Sequence, residues 1–322
     1  MRTLKEANIH KDTRVLVRAD LDVPIQDGQI MEKYRLESGL PTLKYLLEKQ
    51  AKIIIIGHLG RPDGKVVESL STKHLIPYYN EHLGEGNYQL LENLRFDSRE
   101  ESNDPTFAKE LASHAEIYVN ECFSASHREH ASITGVAHLL PSYAGMRLEK
   151  EVTALEKVLK DPVRPLVALV GGVKVDTKKP VISKFISVAD MVLVGGKLGT
   201  NWNADIPDNM KIPRDYGELG RDIGPRTIGI YTEILSRAKT VIWSGPMGNY
   251  EEEKFIHGTK EVAKAIIASN AFSVVGGGDT VAALQKINLA DKFSFVSTGG
   301  GAMLDFLASG TLPGLEVLDY HG

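Results

Sequence analysis

Four short apolar segments in the second half of the chain each end in two or three glycines. They are VALVGG (167–172), MVLVGG (191–196), FSVVGGG (272–278) and FVSTGGG (295–301). Each apolar run has the length and β-branched content of a buried strand, and a glycine turn that leads into helix-forming residues is typical of a βα unit. Four such units predict a parallel sheet whose ligands bind at the carboxyl ends of its strands.

One of these turns, Gly276 to Gly278, leads directly into Asp279 and Thr280. Glycines let the backbone approach a ligand closely, and the free N–H groups of a first helical turn favour an anion. A carboxylate at Asp279 is compatible with a bound polyphosphate only if a cation such as Mg²⁺ lies between them. The turn therefore predicts a phosphate site, although on this segment alone a simple turn with an aspartate helix cap stays an open alternative.

Length and composition narrow the class of protein. A chain of 322 residues favours two domains, and a net charge of −4 argues against a nucleic-acid surface. The single cysteine, Cys122, excludes an internal disulfide framework. The sequence contains no apolar run of membrane-spanning length and its first residues lack a hydrophobic signal core, so we expect a cytoplasmic protein with no membrane partner.

The first half also alternates strand-like and helical segments. Strands are predicted within 14–24, 51–65, 88–96 and 115–123, and helices at 35–49 and 106–114. Between the halves, residues 146–165 place Leu148, Val152, Leu155 and Leu159 on one face of a helix. This helix either joins two domains at a hinge or lies on the surface of one of them.

Arginine and histidine, rather than glycine, follow the predicted strands of the first half. The residues are Asp20, Asp22, Arg35, His58, Arg61, Arg95, His127, Arg128 and His130. Since the carboxyl ends of parallel strands share one edge of a sheet, these side chains can converge there. Guanidinium groups offer paired donors that match phosphate and carboxylate, so the pattern predicts a clamp for a small anionic substrate.

With both sets of residues considered together, the chain resembles the phosphoglycerate kinase family over nearly all of its length. The matching segments are RADLDVP, GHLGRPDGK, LLENLRF, YVNECFSASHREHAS, LVGGVKVDTK, DIGPRT, KTVIWSGPMGNYEEEKFIHGT, VVGGGDTVAA and STGGGAMLDFL. The resemblance implies an α/β fold of two doubly wound parallel-sheet, Rossmann-like domains joined by a helix and hinge. It also implies reversible transfer of the ATP γ-phosphoryl group to the carboxylate of 3-phosphoglycerate, with Mg²⁺ as cofactor, ATP and ADP as cosubstrates, and a monomeric enzyme.

The resemblance also implies domain limits and site residues. It assigns residues 1–147 to phosphoglycerate binding, 148–162 to a linking helix, 163–310 to nucleotide binding, and 311–322 to a segment that returns to the first domain. The implied substrate-binding residues are Asp20, Asp22, Arg35, His58, Arg61, Arg95 and Arg128. The implied catalytic residues are Arg35, Lys174, Lys178, Gly276 and Gly299. The implied nucleotide-binding residues are Lys174, Lys178, Gly195, Glu251, Gly276, Gly277, Gly278, Asp279 and Thr280, and the implied metal ligand is Asp279.

Several features depart from the family pattern, and three of them affect the predicted sites. Asp22 and Ser244 each stand where the family usually has asparagine, and only 19 residues, read as a loop, separate GGKLGTNW from DIGPRT where the family has a longer passage. Phosphate contacts should survive this shortening while contacts to the nucleotide base become fewer. The alternative function is a non-catalytic, phosphoglycerate kinase-like binding protein. An oxidoreductase is disfavoured because no GxGxxG motif follows a strand.

Overall fold

We describe the protein from a computed structural model, which covers residues 1–173, 175–203 and 205–322. The chain divides into two compact units. The first comprises Met1–Val152 and Gly310–Gly322, and the second comprises Thr153–Ser309. No helix in the described ranges is both long enough and apolar enough to cross a membrane.

A five-stranded parallel sheet forms the centre of the first unit. The strands of this sheet are β1 (Arg14–Arg18), β4 (Lys52–Ile56), β5 (Tyr88–Leu90), β6 (Ile117–Asn120) and β7 (Ser142–Ala144). The short strands β2 (Ile25–Gln26) and β3 (Gln29–Ile30) form a separate antiparallel hairpin. The sheet order is β5-β4-β1-β6-β7, with every pair parallel. The order reverses beside β1, and in such a sheet ligands bind beyond the strand ends at the reversal.

Helices cover this sheet and a C-terminal segment completes the unit. The helices are α1 (Tyr34–Glu48), α2 (Ile76–Leu83), α3 (Pro105–Ala112) and the start of α4 (Met146–Leu159). The predicted strand at 88–96 is shorter than expected, because Leu94–Phe96 forms a 3-10 turn. At the other end of the chain, the backbone of Arg2 donates to Leu318 at 2.8 Å and that of Gly314 donates to Ser126 at 2.8 Å.

The second unit contains a six-stranded parallel sheet. Its strands are β8 (Leu166–Val170), β9 (Met191–Val194), β10 (Met210–Lys211), β11 (Thr240–Ser244), β12 (Phe272–Gly276) and β13 (Phe295–Val296). Their order is β10-β9-β8-β11-β12-β13, which is the order of a dinucleotide-type doubly wound sheet. The apolar runs before the four glycine turns form β8, β9, β12 and β13, so the parallel arrangement predicted from the sequence is confirmed.

The helices of this unit are the end of α4, α5 (Val175–Val188), α6 (Lys197–Thr200), α7 (Pro225–Ser236), α8 (His257–Ala268), α9 (Gly278–Lys286) and α10 (Gly300–Ser309); α11 (Pro313–Glu316) follows in the first unit. The interpretation of the shortened passage as a plain loop is wrong in one respect. Met210–Lys211 pairs with β9 as an edge strand, because Met210 is an apolar residue that becomes buried there.

Candidate active site

A buried arginine lies at the centre of the first unit's polar cluster. Arg18 is the last residue of β1 and is 0 % exposed. Its guanidinium donates to Oγ of Ser132 at 3.0 Å, to the carbonyl of Ala19 at 2.7 Å and to Nδ1 of His58 at 2.8 Å. The buried carboxylate of Glu100 accepts from the backbone and the hydroxyl of Ser132, at 3.0 and 2.6 Å. These bonds fix the guanidinium of Arg18 in one orientation.

Sequence reasoning missed Arg18, Ser132 and Glu100. The one signal in the sequence is an arginine that closes the apolar strand VLVR. An isolated arginine in a strand is usually exposed to solvent. Only the fold reveals that Arg18 contacts Ser132, a residue 114 positions away in the chain.

His58 is neutral and has a defined tautomer. Burial, followed by the nearby charges of Arg18, Arg95 and Arg35, holds the pKa of His58 well below its usual value. Because the guanidinium of Arg18 can only donate, Nδ1 of His58 must accept and Nε2 must carry the hydrogen. Nε2 lies 3.9 Å from Oδ2 of Asp22. The histidine thus orients neighbouring groups and is not available as a cation near neutral pH.

Arg35, near the start of α1, faces the two aspartates that follow β1. Its Nη1 donates to the carbonyl of Asp22 at 2.6 Å and to Oδ2 of the same residue at 3.2 Å, and its Nε lies 3.8 Å from Oδ2 of Asp20. Attraction to Asp20, and after it to Asp22, raises the pKa of Arg35. Asp22 also accepts from the backbone of Gly60 at 2.9 Å, so this carboxylate binds both a backbone N–H and an arginine.

The carboxylate of Asp20 is buried but incompletely satisfied. The residue is 6 % exposed, and within the described residues neither carboxylate oxygen has a hydrogen-bond partner. A buried acceptor without a donor is costly unless a ligand or water supplies one. Asp20 therefore has the properties of an acceptor for a hydroxyl group.

The remaining predicted cations of the first unit lie on the same edge of the sheet. Arg95 donates to the carbonyl of Gly60 at 2.9 Å, and the exposed Arg61 follows Gly60 directly. Arg128 is also exposed. Burial, followed by the charges of Arg95, Arg18 and Arg128, lowers the pKa of His130 to about 4. The arginines that act on His58 and His130 thus form one positively charged cluster.

In the second unit, the glycine turns approach one another at backbone distance. A Cβ at Gly171 would overlap the backbone of Gly245 and Pro246, and a Cβ at Gly300 would overlap Gly277. The hydroxyl of the buried Thr280 accepts from the backbone N–H of Gly245 at 2.6 Å, which ties the start of α9 to the end of β11. The turns therefore form one backbone surface at the carboxyl edge of the sheet.

The predicted phosphate and metal residues lie on this surface. Asp279 is exposed in the first turn of α9, where its Oδ1 accepts from the hydroxyl of Tyr250 at 3.5 Å. Burial lowers the pKa of Lys178 on α5, and attraction to Asp279 opposes that change, so the two charges interact electrostatically. A cation and an anion beside a helix N-terminus are suited to a phosphate that carries a metal ion.

The glycines implied as ligand contacts differ in whether the surrounding protein leaves room for a side chain at that position. A Cβ at Gly276 would lie 2.6 Å from Sδ of Met303, and one at Gly195 would overlap Met247. Packing inside the unit thus restricts both positions, and Gly299 is also buried. By contrast, a Cβ at Gly278 would meet no atom within 4 Å. Among the glycines that precede Asp279, Gly278 is therefore the one with open space for a ligand.

Lys174 and Glu251 are the two remaining residues that the resemblance implies for nucleotide binding. Lys174 lies outside the described residues. The side chain of Glu251 is exposed, and its backbone carbonyl accepts from Nζ of Lys286, at the end of α9, at 2.7 Å. That bond, with a second from Lys286 to the carbonyl of Tyr250 at 3.0 Å, holds the 250–251 turn against α9.

Within the described residues, no group of three or more histidine, cysteine, aspartate or glutamate side chains could hold a metal ion. A Mg²⁺ ion in nucleotide enzymes is usually bound by one or two carboxylates and by the phosphates of the substrate. The exposed carboxylate of Asp279 fits that pattern.

Fold and polar clusters together define a class of protein. Each unit is built on a doubly wound parallel sheet. Guanidinium groups follow the strand ends of the first sheet, whereas glycine turns, a lysine and an aspartate follow the strand ends of the second sheet. This combination is that of a two-unit α/β phosphotransferase.

The family model for phosphoglycerate kinase matches residues 4–86, 79–212 and 200–310. The chain belongs to the phosphoglycerate kinase family. It is 38% identical to the phosphoglycerate kinase of Moorella thermoacetica, with 98% of each chain covered, and 39% identical to that of Leptospira biflexa, with 98% of this chain and 97% of the relative covered. The Moorella alignment extends over 387 residues, so this chain of 322 residues is shorter than its relative.

Solved structures agree with this assignment. The phosphoglycerate kinase of Coxiella burnetii superposes with a TM-score of 0.87 at 32% identity, covering 98% of both chains. That of Pyrococcus horikoshii superposes with a TM-score of 0.86 at 30% identity, covering 99% of this chain and 98% of the other. The resemblance to the family and the two-domain Rossmann-like fold class are thereby confirmed.

Proposed function

We propose that this chain transfers the γ-phosphoryl group of ATP reversibly to the carboxylate of 3-phosphoglycerate, giving 1,3-bisphosphoglycerate and ADP. The observation that carries this proposal is the set of interlocked glycine turns at the carboxyl edge of the second sheet, with the exposed Asp279 in the first turn of α9. A protein that only bound a phosphorylated ligand would not need a metal carboxylate combined with a lysine suited to a transferring phosphoryl group.

The first unit provides the phosphoglycerate site in this proposal. Arg61, Arg95 and Arg128 bind the phosphate of the substrate through charge-assisted hydrogen bonds. Asp20, a buried carboxylate without a hydrogen-bond donor among the described residues, accepts the substrate hydroxyl. Arg35 neutralises the substrate carboxylate, and the neutral His58 accepts a hydrogen bond that keeps the Arg18 guanidinium in place.

The second unit provides the nucleotide site. Gly277, Gly278 and Thr280 present the backbone of the first turn of α9 to the phosphates, while Lys178 and Lys174 balance their charge. Asp279 would hold Mg²⁺, which when bound would supply positive charge to the phosphates of the nucleotide. Glu251 is assigned to the nucleotide ribose, and Gly195, Gly276 and Gly299 shape the backbone of the turns around the reacting group.

No general base is needed for this reaction. A carboxylate acceptor is already ionised at neutral pH, so the chain must position the two reactants and neutralise charge. The arginine cluster and the lysine near Asp279 supply that function. Burial lowers the pKa of His58, so the ring is neutral near pH 7 and does not act as a general acid.

The proposal also covers the roles of the two units, the oligomeric state and the cellular compartment. We take the first unit as the phosphoglycerate-binding domain, α4 as the linking helix and the second unit as the nucleotide-binding domain of a monomeric cytoplasmic enzyme. The buried Cys122 accords with a reducing compartment.

A coupled assay with 3-phosphoglycerate and MgATP tests the proposal. We expect turnover by the wild type and a loss of several orders of magnitude in Lys178→Ala. Lys179→Ala is the matched control, since Lys179 is the adjacent, exposed lysine of α5. Absence of turnover in the wild type, or equal effects of the two substitutions, would contradict the proposal.

A further inference from the structure

The first turn of α1, which carries Arg35, lacks the usual helix cap. Lys33 occupies the N-cap position and its side chain makes no capping hydrogen bond. The backbone N–H of Tyr34 is bound instead by the carboxylate of Glu32. Because the first turn of an uncapped helix frays readily, the orientation of Arg35 depends on contacts made by its neighbours in that turn.

Tyr34 supplies such a contact through Arg147 of α4. The Arg147 guanidinium lies over the Tyr34 ring, 5.5 Å from its centroid, and donates to the Tyr34 hydroxyl at 3.3 Å. It also donates to Oε1 of Glu151 at 3.1 and 2.7 Å. The side chain of Glu151 is 0 % exposed and that of Arg147 is 10 % exposed. Because the buried guanidinium of Arg147 makes two hydrogen bonds to Glu151, it has one orientation, and the guanidinium in turn fixes the ring of Tyr34.

A second contact joins the same two helices further along α1. Oε1 of Glu121 accepts from the hydroxyl of Thr42 at 2.7 Å and from the backbone N–H of Arg147 at 3.0 Å. The hydroxyl of Thr42 in turn accepts from the backbone of Met146 at 2.8 Å. Tyr34 and Thr42 are eight residues apart, which is about 12 Å along a helix. Two contacts at that separation fix both the position and the rotation of α1, and Arg147 takes part in both.

Arg35 directly follows Tyr34, so its guanidinium follows any rotation of this turn. Its bond of 2.6 Å to the carbonyl of Asp22 allows little movement. Resting on the proposed function, we propose that Arg147 is a positioning residue for Arg35: together with Glu151 it holds Tyr34, and thereby directs the Arg35 guanidinium toward the carboxylate of the acceptor substrate.

A purely structural role for the ion pair is the competing explanation. Buried ion pairs contribute little net stability compared with apolar residues of similar volume, so stability alone does not explain the pair. The two explanations differ in what they predict for Arg35, and a variant that removes both charges separates them.

The test is a double-mutant cycle between the ion pair and Arg35. The variant Arg147→Met with Glu151→Gln leaves no unpaired buried charge, and Tyr34→Leu removes the ring contact without changing any charge. We expect each to lower kcat/KM for 3-phosphoglycerate between about tenfold and a hundredfold, as a small misplacement of a catalytic group does. In an Arg35→Lys background, we expect either change to have an effect below about twofold, because a lysine cannot form the paired contacts that the positioning serves.

Arg237→Met is the matched control, because Arg237 forms an exposed i,i+4 pair with Glu233 on α7. We expect it to leave kcat/KM unchanged. Equal losses in the wild-type and Arg35→Lys backgrounds, or no loss in either, would overturn the proposal.

A readout that does not depend on turnover separates this inference from the proposed function. The side-chain Nε–H resonance of Arg35, assigned by its disappearance in Arg35→Lys, should shift and broaden in the double variant and in Tyr34→Leu. An inactive wild type would refute the proposed function while leaving this measurement valid. An unchanged resonance would refute the positioning role.

Discussion

Nη2 of Arg18 donates a hydrogen bond of 2.8 Å to Nδ1 of His58, and both side chains are buried. This bond fixes the histidine tautomer and directs Nε2–H toward Asp22. The buried Arg18–His58 pair therefore lies at the inner side of the positive cluster of the first unit and supports the exposed arginines of that cluster.

Replacement of Arg18 should affect both stability and substrate binding. Arg18→Met leaves Nδ1 of His58 and the carboxylate of Glu100 buried without this cation, and removal of one partner from a buried charged network costs about 3–5 kcal/mol. We expect a lower urea midpoint and a higher KM for 3-phosphoglycerate. Arg14→Met is the matched control, because Arg14 begins the same strand but its side chain is 49% exposed. Equal effects of the two substitutions would contradict this prediction.

Asp22→Asn should strengthen binding of the anionic substrate. The asparagine oxygen can still accept from the backbone of Gly60, while the negative charge beside Arg35 disappears. A repulsion of ~1 kcal/mol corresponds to roughly a fivefold lower KM for 3-phosphoglycerate. Asp27→Asn makes the same charge change on the exposed β2–β3 hairpin and should leave KM unaltered. An unchanged or increased KM in Asp22→Asn would show that the carboxylate does not repel the substrate.

The contribution of Glu121 to the stability of the first unit should fall as the pH rises above 4.5. Burial raises the pKa of Glu121 from 4.5 to about 8, so the folded state retains a proton that the unfolded state releases. The stabilising contribution of the Glu121 proton is complete below pH 4.5. It falls by about 1.4 kcal/mol per pH unit between pH 4.5 and about pH 8, and it is lost at higher pH. Glu121→Gln should remove this dependence.

Hydrogen exchange of the β6 amides is the suitable measurement for Glu121, because both tryptophans, Trp202 and Trp243, lie in the second unit and report on that unit's unfolding. Protection in the wild type should decrease relative to Glu121→Gln between pH 6 and pH 8. A parallel pH dependence in the two proteins would exclude Glu121 as the group responsible.

Loss of the Asp279 carboxylate should weaken metal binding by the second unit. Asp279→Asn retains the shape of the first turn of α9 but offers a neutral oxygen to Mg²⁺, which prefers carboxylate and phosphate ligands. We expect the Mg²⁺ concentration for half-maximal activity to increase at least tenfold, a change of ~1.4 kcal/mol. Asp291→Asn, an exposed aspartate beyond α9, is the control. An unaltered Mg²⁺ dependence would remove Asp279 from the metal site.

The shortened passage before α7 should relax the choice of nucleotide base. In this passage the described structure has only the two-residue strand β10 and the 3-10 turn Glu218–Gly220, so few side chains are available to contact a base. We expect kcat/KM for ATP, GTP and ITP to agree within about tenfold, since discrimination requires specific contacts. A strong preference for ATP would show that the base is bound by another part of the chain.

Local patterns in the sequence predicted the repeated units of the fold. Strands β8, β9, β12 and β13 were predictable because each apolar run leads into a glycine turn, and α4 was predictable because its apolar face repeats with helical spacing. The strand order and the edge strand β10 depend on contacts between distant residues, which no local pattern encodes.

The polar clusters were predictable to a similar extent. Arginines and aspartates after strand ends indicated where charges gather, since parallel strands share one edge. The buried Arg18–Ser132–Glu100 network was not predictable, because its members are separated by tens of residues and resemble surface side chains in sequence. Gly276 and Gly195, which are predicted as ligand contacts, are also positions where a Cβ would meet Met303 and Met247, a packing restriction between distant residues that the sequence does not show.

The segment Gly310–Gly322 belongs to the unit formed by the first half of the chain, where Leu315 is buried and Leu318 binds the backbone of Arg2. During synthesis, the ribosome must therefore make the whole second unit before the first can acquire its final contacts. Until this segment emerges, the apolar surface of the first unit that Leu315 covers is exposed to solvent.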